Sequence, residues 1–155
     1  MVKERMTNRI IMTTLFFFWV TVVWSQIQTT TDTILCHNRS IIIEHPTISK
    51  TKIVNYEEGC FNVINCVLDT AIITVHCGSM VNLPLTDLTD KTILSKFLLG
   101  SEIRCIRGFY YTKNRRKKFF REDNYFKYGI TIAYENVDES IQGIYENFFN
   151  NIKIK

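Results

Sequence analysis

Cys66-Val67-Leu68-Asp69-Thr70-Ala71-Ile72-Ile73-Thr74-Val75-His76-Cys77 is the stretch on which the fold turns. Ile72, Ile73, Thr74 and Val75 follow one another, and side chains branched at Cβ suit an extended, pleated backbone better than a helix. The segment predicts a strand over residues 67–76. A cysteine at each end predicts that this strand is central and stapled.

Upstream, residues 51–56 alternate weakly and suit a second strand, and Glu57-Glu58-Gly59 reads as a turn. Ile41-Ile42-Ile43 is a short β-branched run stopped by Pro46, and the polar, threonine-rich residues 26–32 read as a flexible lead-in. Downstream the pattern changes period. Leu85, Leu88, Ile93, Leu94, Phe97 and Leu98 approximate a helical face, with Thr86 or Asp87 as its cap and Gly100 as its end. Residues 103–111 read as a strand carrying Cys105, and residues 119–134 as helix or strand around Gly129. Asp138 is placed to cap a final helix bearing Ile141, Ile144, Tyr145, Phe148 and Phe149. Two apolar helical stripes on a thin core are more than a small domain easily buries, and a partner protein is the natural cover for the excess. The expectation is a single α+β domain, a small disulfide-stapled unit with a short antiparallel sheet and two or three helices.

The N-terminus sets the compartment. Basic residues Lys3, Arg5 and Arg9 precede an uncharged run from Ile10 to Val23, and Val23 and Ser25 stand at the −3 and −1 positions of a cleavage site before Gln26. This is the pattern of a secretory signal peptide over residues 1–25. The run falls short of the ~20 apolar residues that cross a bilayer. Residues 26–155 are then one extracellular domain, with no second apolar stretch of spanning length. The whole chain carries +4, of which Lys3, Arg5 and Arg9 against Glu4 account for +2. The remainder is no footprint for nucleic acid.

In an oxidising compartment Cys36, Cys60, Cys66, Cys77 and Cys105 read as disulfide cysteines, with one left over to be buried or to bond another chain. Asn38-Arg39-Ser40 is an N-glycosylation sequon. His37, His45 and His76 lack the spacing of a metal clip, no nucleophile motif or phosphate loop occurs, and Glu57-Glu58 and Glu122-Asp123 read as solvated turns. The sequence therefore points to a protein that is not an enzyme and takes no cofactor or metal. The basic run Lys113, Asn114, Arg115, Arg116, Lys117, Lys118 admits three uses: a surface for anionic glycosaminoglycan or lipid headgroups, a proprotein-convertase site after Arg116, or a solvated loop.

Residues 35–88, about a third of the chain, resemble glycoprotein L of herpesviruses, particularly the gammaherpesvirus branch. Leu35-Cys36 matches the first cysteine after the leader, Glu58-Gly59-Cys60 the one a little over twenty residues on, and Cys66 another nearby. Ile72-Ile73-Thr74-Val75-His76-Cys77-Gly78-Ser79-Met80-Val81-Asn82-Leu83 is the most specific part of the match. The chain departs from the family in carrying one cysteine at Leu35-Cys36 where those proteins carry two, and Cys105 has no counterpart. The resemblance implies that Cys36 pairs with Cys60 or with Cys77. It implies a non-catalytic envelope subunit that binds the membrane-anchored glycoprotein H as a heterodimer, aids its folding and transport through the Golgi, and through it regulates the fusogen glycoprotein B. The chain would then reach the virion envelope and host cell membrane through that partner alone. The competing expectation is a secreted cystine-stabilised signalling ligand or immune modulator. Glu57-Glu58-Gly59-Cys60 and Cys77-Gly78-Ser79 are similar to pieces of cystine-knot hormones, although the knot's C-x-G-x-C and closing C-x-C are missing.

Overall fold

The computed structural model describes residues 27–78, 91–99 and 103–155. Its strands are β1 (Thr29–Cys36), β2 (Arg39–Pro46), β3 (Ser49–Tyr56), β4 (Gly59–Cys66), β5 (Ile72–Gly78), β6 (Lys91–Leu99), β7 (Ile103–Tyr111), β8 (Lys117–Tyr125), β9 (Ile130–Val137) and β10 (Lys153–Ile154). One α-helix among the described residues, α1 (Gln142–Asn150), follows a 3-10 turn over Glu139–Ile141. The strands form a three-stranded sheet, β1-β2-β10, and a seven-stranded sheet, β3-β4-β5-β9-β8-β7-β6. Every pair is antiparallel.

The larger sheet is two meanders joined side by side. β3-β4-β5 runs inward from one edge by hairpins, the chain crosses to the far edge at β6, and β7, β8 and β9 return until β9 pairs with β5. The β8–β9 reversal uses Gly129 at φ 61, a left-handed conformation that costs an L-residue but not glycine.

The core lies where the two sheets and α1 meet. Ile34, Cys36, Ile41 and Ile43 of the small sheet, Ile64, Ile73, Val75, Cys77, Ile130, Ile132 and Tyr134 of the large one, and Tyr145, Phe148 and Phe149 of α1 are all buried in one cluster. Positions 145, 148 and 149 share a helix face. The Tyr134 ring meets Phe149 edge-on at 5.0 Å and Tyr145 at 5.7 Å. Burying each such ring contributes about 2–3 kcal/mol. The terminal stripe is thus core, not spare surface.

The molecule is therefore mostly β, and the α+β expectation with two or three helices is wrong. The helix read over positions 85–98 is overturned where it can be followed. Residues 91–99 are β6, paired with β7 around a bulge between Ile93 and Ser95, while Leu85, Thr86, Asp87, Leu88 and Gly100 lie outside the described residues. A short apolar run does not separate helix from strand by period alone. Thr92 and Ile93 favour the strand once β7 offers a ladder. The flexible lead-in is likewise partly wrong: Thr29–Asp32 open β1, paired with residues 43–46 of β2. The strand between Cys66 and Cys77 is shorter than expected, since residues 67–69 turn and β5 begins at Ile72. The segment expected to be a signal peptide, residues 1–25, lies outside the described residues.

The described disulfide is Cys36–Cys77, with Cα atoms 5.5 Å apart and a sequence separation of 41. It ties the end of β1 to β5, one sheet to the other. Closing a loop of that length stabilises by about 4 kcal/mol through the unfolded state. Cys60, Cys66 and Cys105 are free in the structure, where the sequence led us to expect a single unpaired cysteine. Cys66 and Cys105 sit apart in the core, where burial first of all pushes their thiols up, Cys105 to about 12.

Candidate interaction surface

β3 is an outer strand of the larger sheet, hydrogen-bonded to β4. Lys50, Thr51, Lys52, Ile53, Val54 and Asn55 are all exposed, so both faces of this strand meet solvent. Ile53 is 60% and Val54 41% exposed. Because side chains alternate along a strand, Lys50, Lys52 and Val54 share one face and Thr51, Ile53 and Asn55 the other. At one end of the strand Ile48, Val67 and Leu68 add an apolar patch, joined by a Val67 N–H to Ile48 O bond of 3.0 Å. Sequence reading took residues 51–56 as an ordinary strand. Its position at an edge depends on which strands pair, and no local signal carries that.

The other end of β3 is anchored. Tyr56 Oη donates to His76 Nε2 at 2.5 Å, and Phe61 stacks on His76 at 4.5 Å. Burial lowers the His76 pKa, which keeps the ring neutral and able to accept. Gly78 makes room for this contact, since a Cβ there would collide with Tyr56 Oη.

The structure divides the basic run. Lys113, Arg115 and Arg116 are exposed on the β7–β8 turn, which is closed by Thr112 N–H to Arg116 O at 2.9 Å and Arg115 N–H to Thr112 O at 2.8 Å. Lys117 Nζ lies 4.6 and 4.8 Å from the Phe109 and Phe119 rings and 3.0 Å from Glu139 Oε1. Lys118 is buried, with Nζ 3.0 Å from Asp138 Oδ1. A protease cutting after Arg116 needs an extended substrate, and here both following residues are tied into β8. Asn38 of the sequon is exposed in the β1–β2 turn, and Arg39 stacks over Tyr128 at 4.9 Å.

Glu122 and Asp123 are not a solvated turn. Both are buried in β8, pointing to opposite faces. Asp123 takes Arg121 Nε at 3.1 Å, Arg121 reaches Glu146 at 2.8 Å, and Arg107 reaches the same carboxylate at 3.2 Å. On the other face Asn124 bridges Glu122 and Thr131 at 2.8 Å each. Buried charges persist only when paired in this way. Among the described residues no group of three or more His, Cys, Asp or Glu converges as metal ligands.

One row has the residue types of a hydrolytic triad. His45 Nε2 lies 3.0 Å from Asp32 Oδ2, and Ser49 Oγ lies 3.3 Å from His45 Nδ1. A nucleophilic serine also needs donors placed for an oxyanion. The nearby N–H groups of Ser49 and Val67 already bond Thr47 O and Ile48 O, and His45 Nδ1 also meets Pro46 O at 3.0 Å. The row holds the β2–β3 corner together. A surface cleft of about 300 Å³ on the opposite face of the small sheet is lined by Thr31, Ile42, Glu44, Asn151, Lys153 and Lys155, with no such row facing it.

Among the described residues no helix is long and apolar enough to cross a membrane. Comparison with known protein families, with curated proteins and with solved structures returns no match for this chain.

Proposed function

We propose that this chain is a non-catalytic extracellular subunit that binds a membrane-anchored partner, in the manner of herpesvirus glycoprotein L with glycoprotein H. Through that partner it would regulate a fusogen of the glycoprotein B kind. The observation that carries the reading is β3, an outer strand with Ile53 and Val54 exposed beside Lys50 and Lys52. A partner strand added along such an edge gains main-chain hydrogen bonds and side-chain contacts together. Lysines on an edge discourage indiscriminate pairing, so a partner strand that offers carboxylates to Lys50 and Lys52 and apolar residues to Ile53 would be selected. The Cys36–Cys77 bond is one of the two pairings that the resemblance leaves open.

The test is co-expression with a candidate glycoprotein H. Surface delivery of that partner should rise with the wild-type chain and fall with Ile53→Lys. Equal delivery without the chain would sink the reading.

A second reading, a secreted signalling ligand or immune modulator, is favoured by the way α1 completes the chain's own core. A domain that buries Tyr145, Phe148 and Phe149 by itself does not need a partner to fold. Efficient secretion of the chain alone, with capture of a host receptor, would favour it; retention without a partner would favour the subunit.

A further inference from the structure

Cys36, Cys60 and Cys77 meet in one place although they come from three strands. Cys60 of β4 stands directly opposite Cys77 of β5 in the strand register. Directly opposed residues share a face of the sheet, and Cys60 packs against the same core cluster that contains Cys36 and Cys77. Opposed Cα atoms are roughly 4.5–5.5 Å apart, within the range of roughly 4.4–6.8 Å that a disulfide accepts. Cys77 is thus within backbone reach of two sulfurs, Cys36 from the other sheet and Cys60 from its own.

We infer that the inter-sheet disulfide is exchangeable and that Cys60 is the attacking thiol. Cys60 loses its proton to solvent, and its thiolate attacks Cys77 Sγ. The Cys60–Cys77 bond forms as the Cys36–Cys77 bond breaks. The electron pair leaves on Cys36, which takes up a proton. No oxidant or reductant is consumed, because one disulfide and one thiol become another disulfide and another thiol.

Two features fit Cys60 to this role. It is half-buried, whereas Cys66 and Cys105 are buried. Asn62 Nδ2 also lies 3.7 Å from its sulfur, a contact on the sheet face that Cys77 shares. The outcome is a movement of the staple. Before exchange it binds β1 to the larger sheet; afterwards it lies within the larger sheet, and the β1–β2 hairpin is held by packing alone. The inference stands apart from the choice of partner.

Disulfide mapping of the full chain tests it. The protein is held at about pH 8, near the ordinary thiol pKa, then quenched in acid and digested with pepsin so that nothing reshuffles. Wild type should yield both Cys36–Cys77 and Cys60–Cys77 peptides, and Cys60→Ser should lose the second entirely. Cys36→Ser should fold with a Cys60–Cys77 bond. Wild type that yields the Cys36–Cys77 peptide alone overturns the inference, whatever Cys36→Ser shows.

Discussion

Tyr134 of β9 donates its phenol hydrogen to Glu146 of α1 at 2.6 Å, joining the middle of the larger sheet to the helix that closes the core. Tyr134 is fully buried, and the same carboxylate holds Arg121 at 2.8 Å and Arg107 at 3.2 Å. Tyr134→Phe removes one hydrogen bond and leaves Glu146 its two arginines, so a loss of about 1–2 kcal/mol is expected. Glu146→Ala strips a partner from Tyr134 and both arginines and should cost about 3–5 kcal/mol. Urea titration of the two variants checks the order; equal losses would mean that Glu146 is not the hub.

Alkali should unfold this protein early. Burial is the first cause that raises Tyr134 and Tyr145 and takes Tyr125 from the ordinary 10.0 to about 12. A raised folded pKa means stability that is complete below the unfolded value and lost as pH rises through the folded one. The urea midpoint should therefore hold to about pH 10 and fall steeply toward pH 12. Tyrosine ionisation, followed by absorbance, should lag that of free tyrosine until unfolding releases it. Coincident ionisation in native and unfolded protein would contradict this.

Phe149 and Ile53 are both apolar and should behave oppositely. Phe149 is 2% exposed in the core and Ile53 60% exposed on β3. Phe149→Ala should cost about 3–5 kcal/mol. Ile53→Lys should stay within about 0.5 kcal/mol of wild type, while abolishing partner binding in a co-precipitation. A large stability loss from Ile53→Lys would show that this strand is covered within the chain.

The basic turn separates from the strand behind it. Lys113→Glu with Arg116→Glu should leave the melting temperature unchanged and lower the salt at which the chain leaves a heparin column. Lys118→Ala removes a buried stem paired with Asp138 and should cost about 1–3 kcal/mol. A convertase supplied in excess should leave residues 117–155 attached. Release of that fragment from folded protein would show that the turn opens.

Much of the strand content is legible locally. Residues 103–111 read as a strand and form β7, and 145, 148 and 149 show a helical stripe that α1 satisfies, whereas 119–134, read as helix or strand around Gly129, is two strands with a reversal there. The legible features depend on neighbours in sequence, through Cβ branching and a period of 3.6. The candidate surface was not legible. Whether residues 51–56 lie inside a sheet or at its edge depends on where β9 inserts, and β9 is some seventy-five residues away. The same holds for Glu122 and Asp123: Asn124 and Arg121 pair with them from within β8, but their burial is completed by Thr131 of β9 and by Arg107 and Glu146, which come from other elements.

By itself the sequence determined the central strand at Ile72–Val75, the terminal helical stripe and the turn at Glu57-Glu58, because each is written in adjacent residues. Only the tertiary structure decided that the fold is nearly all β, that Cys77 bonds Cys36 while facing Cys60, and that β3 is left open. Strand pairing and disulfide choice are contacts between distant segments, and their energies exist only once the chain has closed on itself.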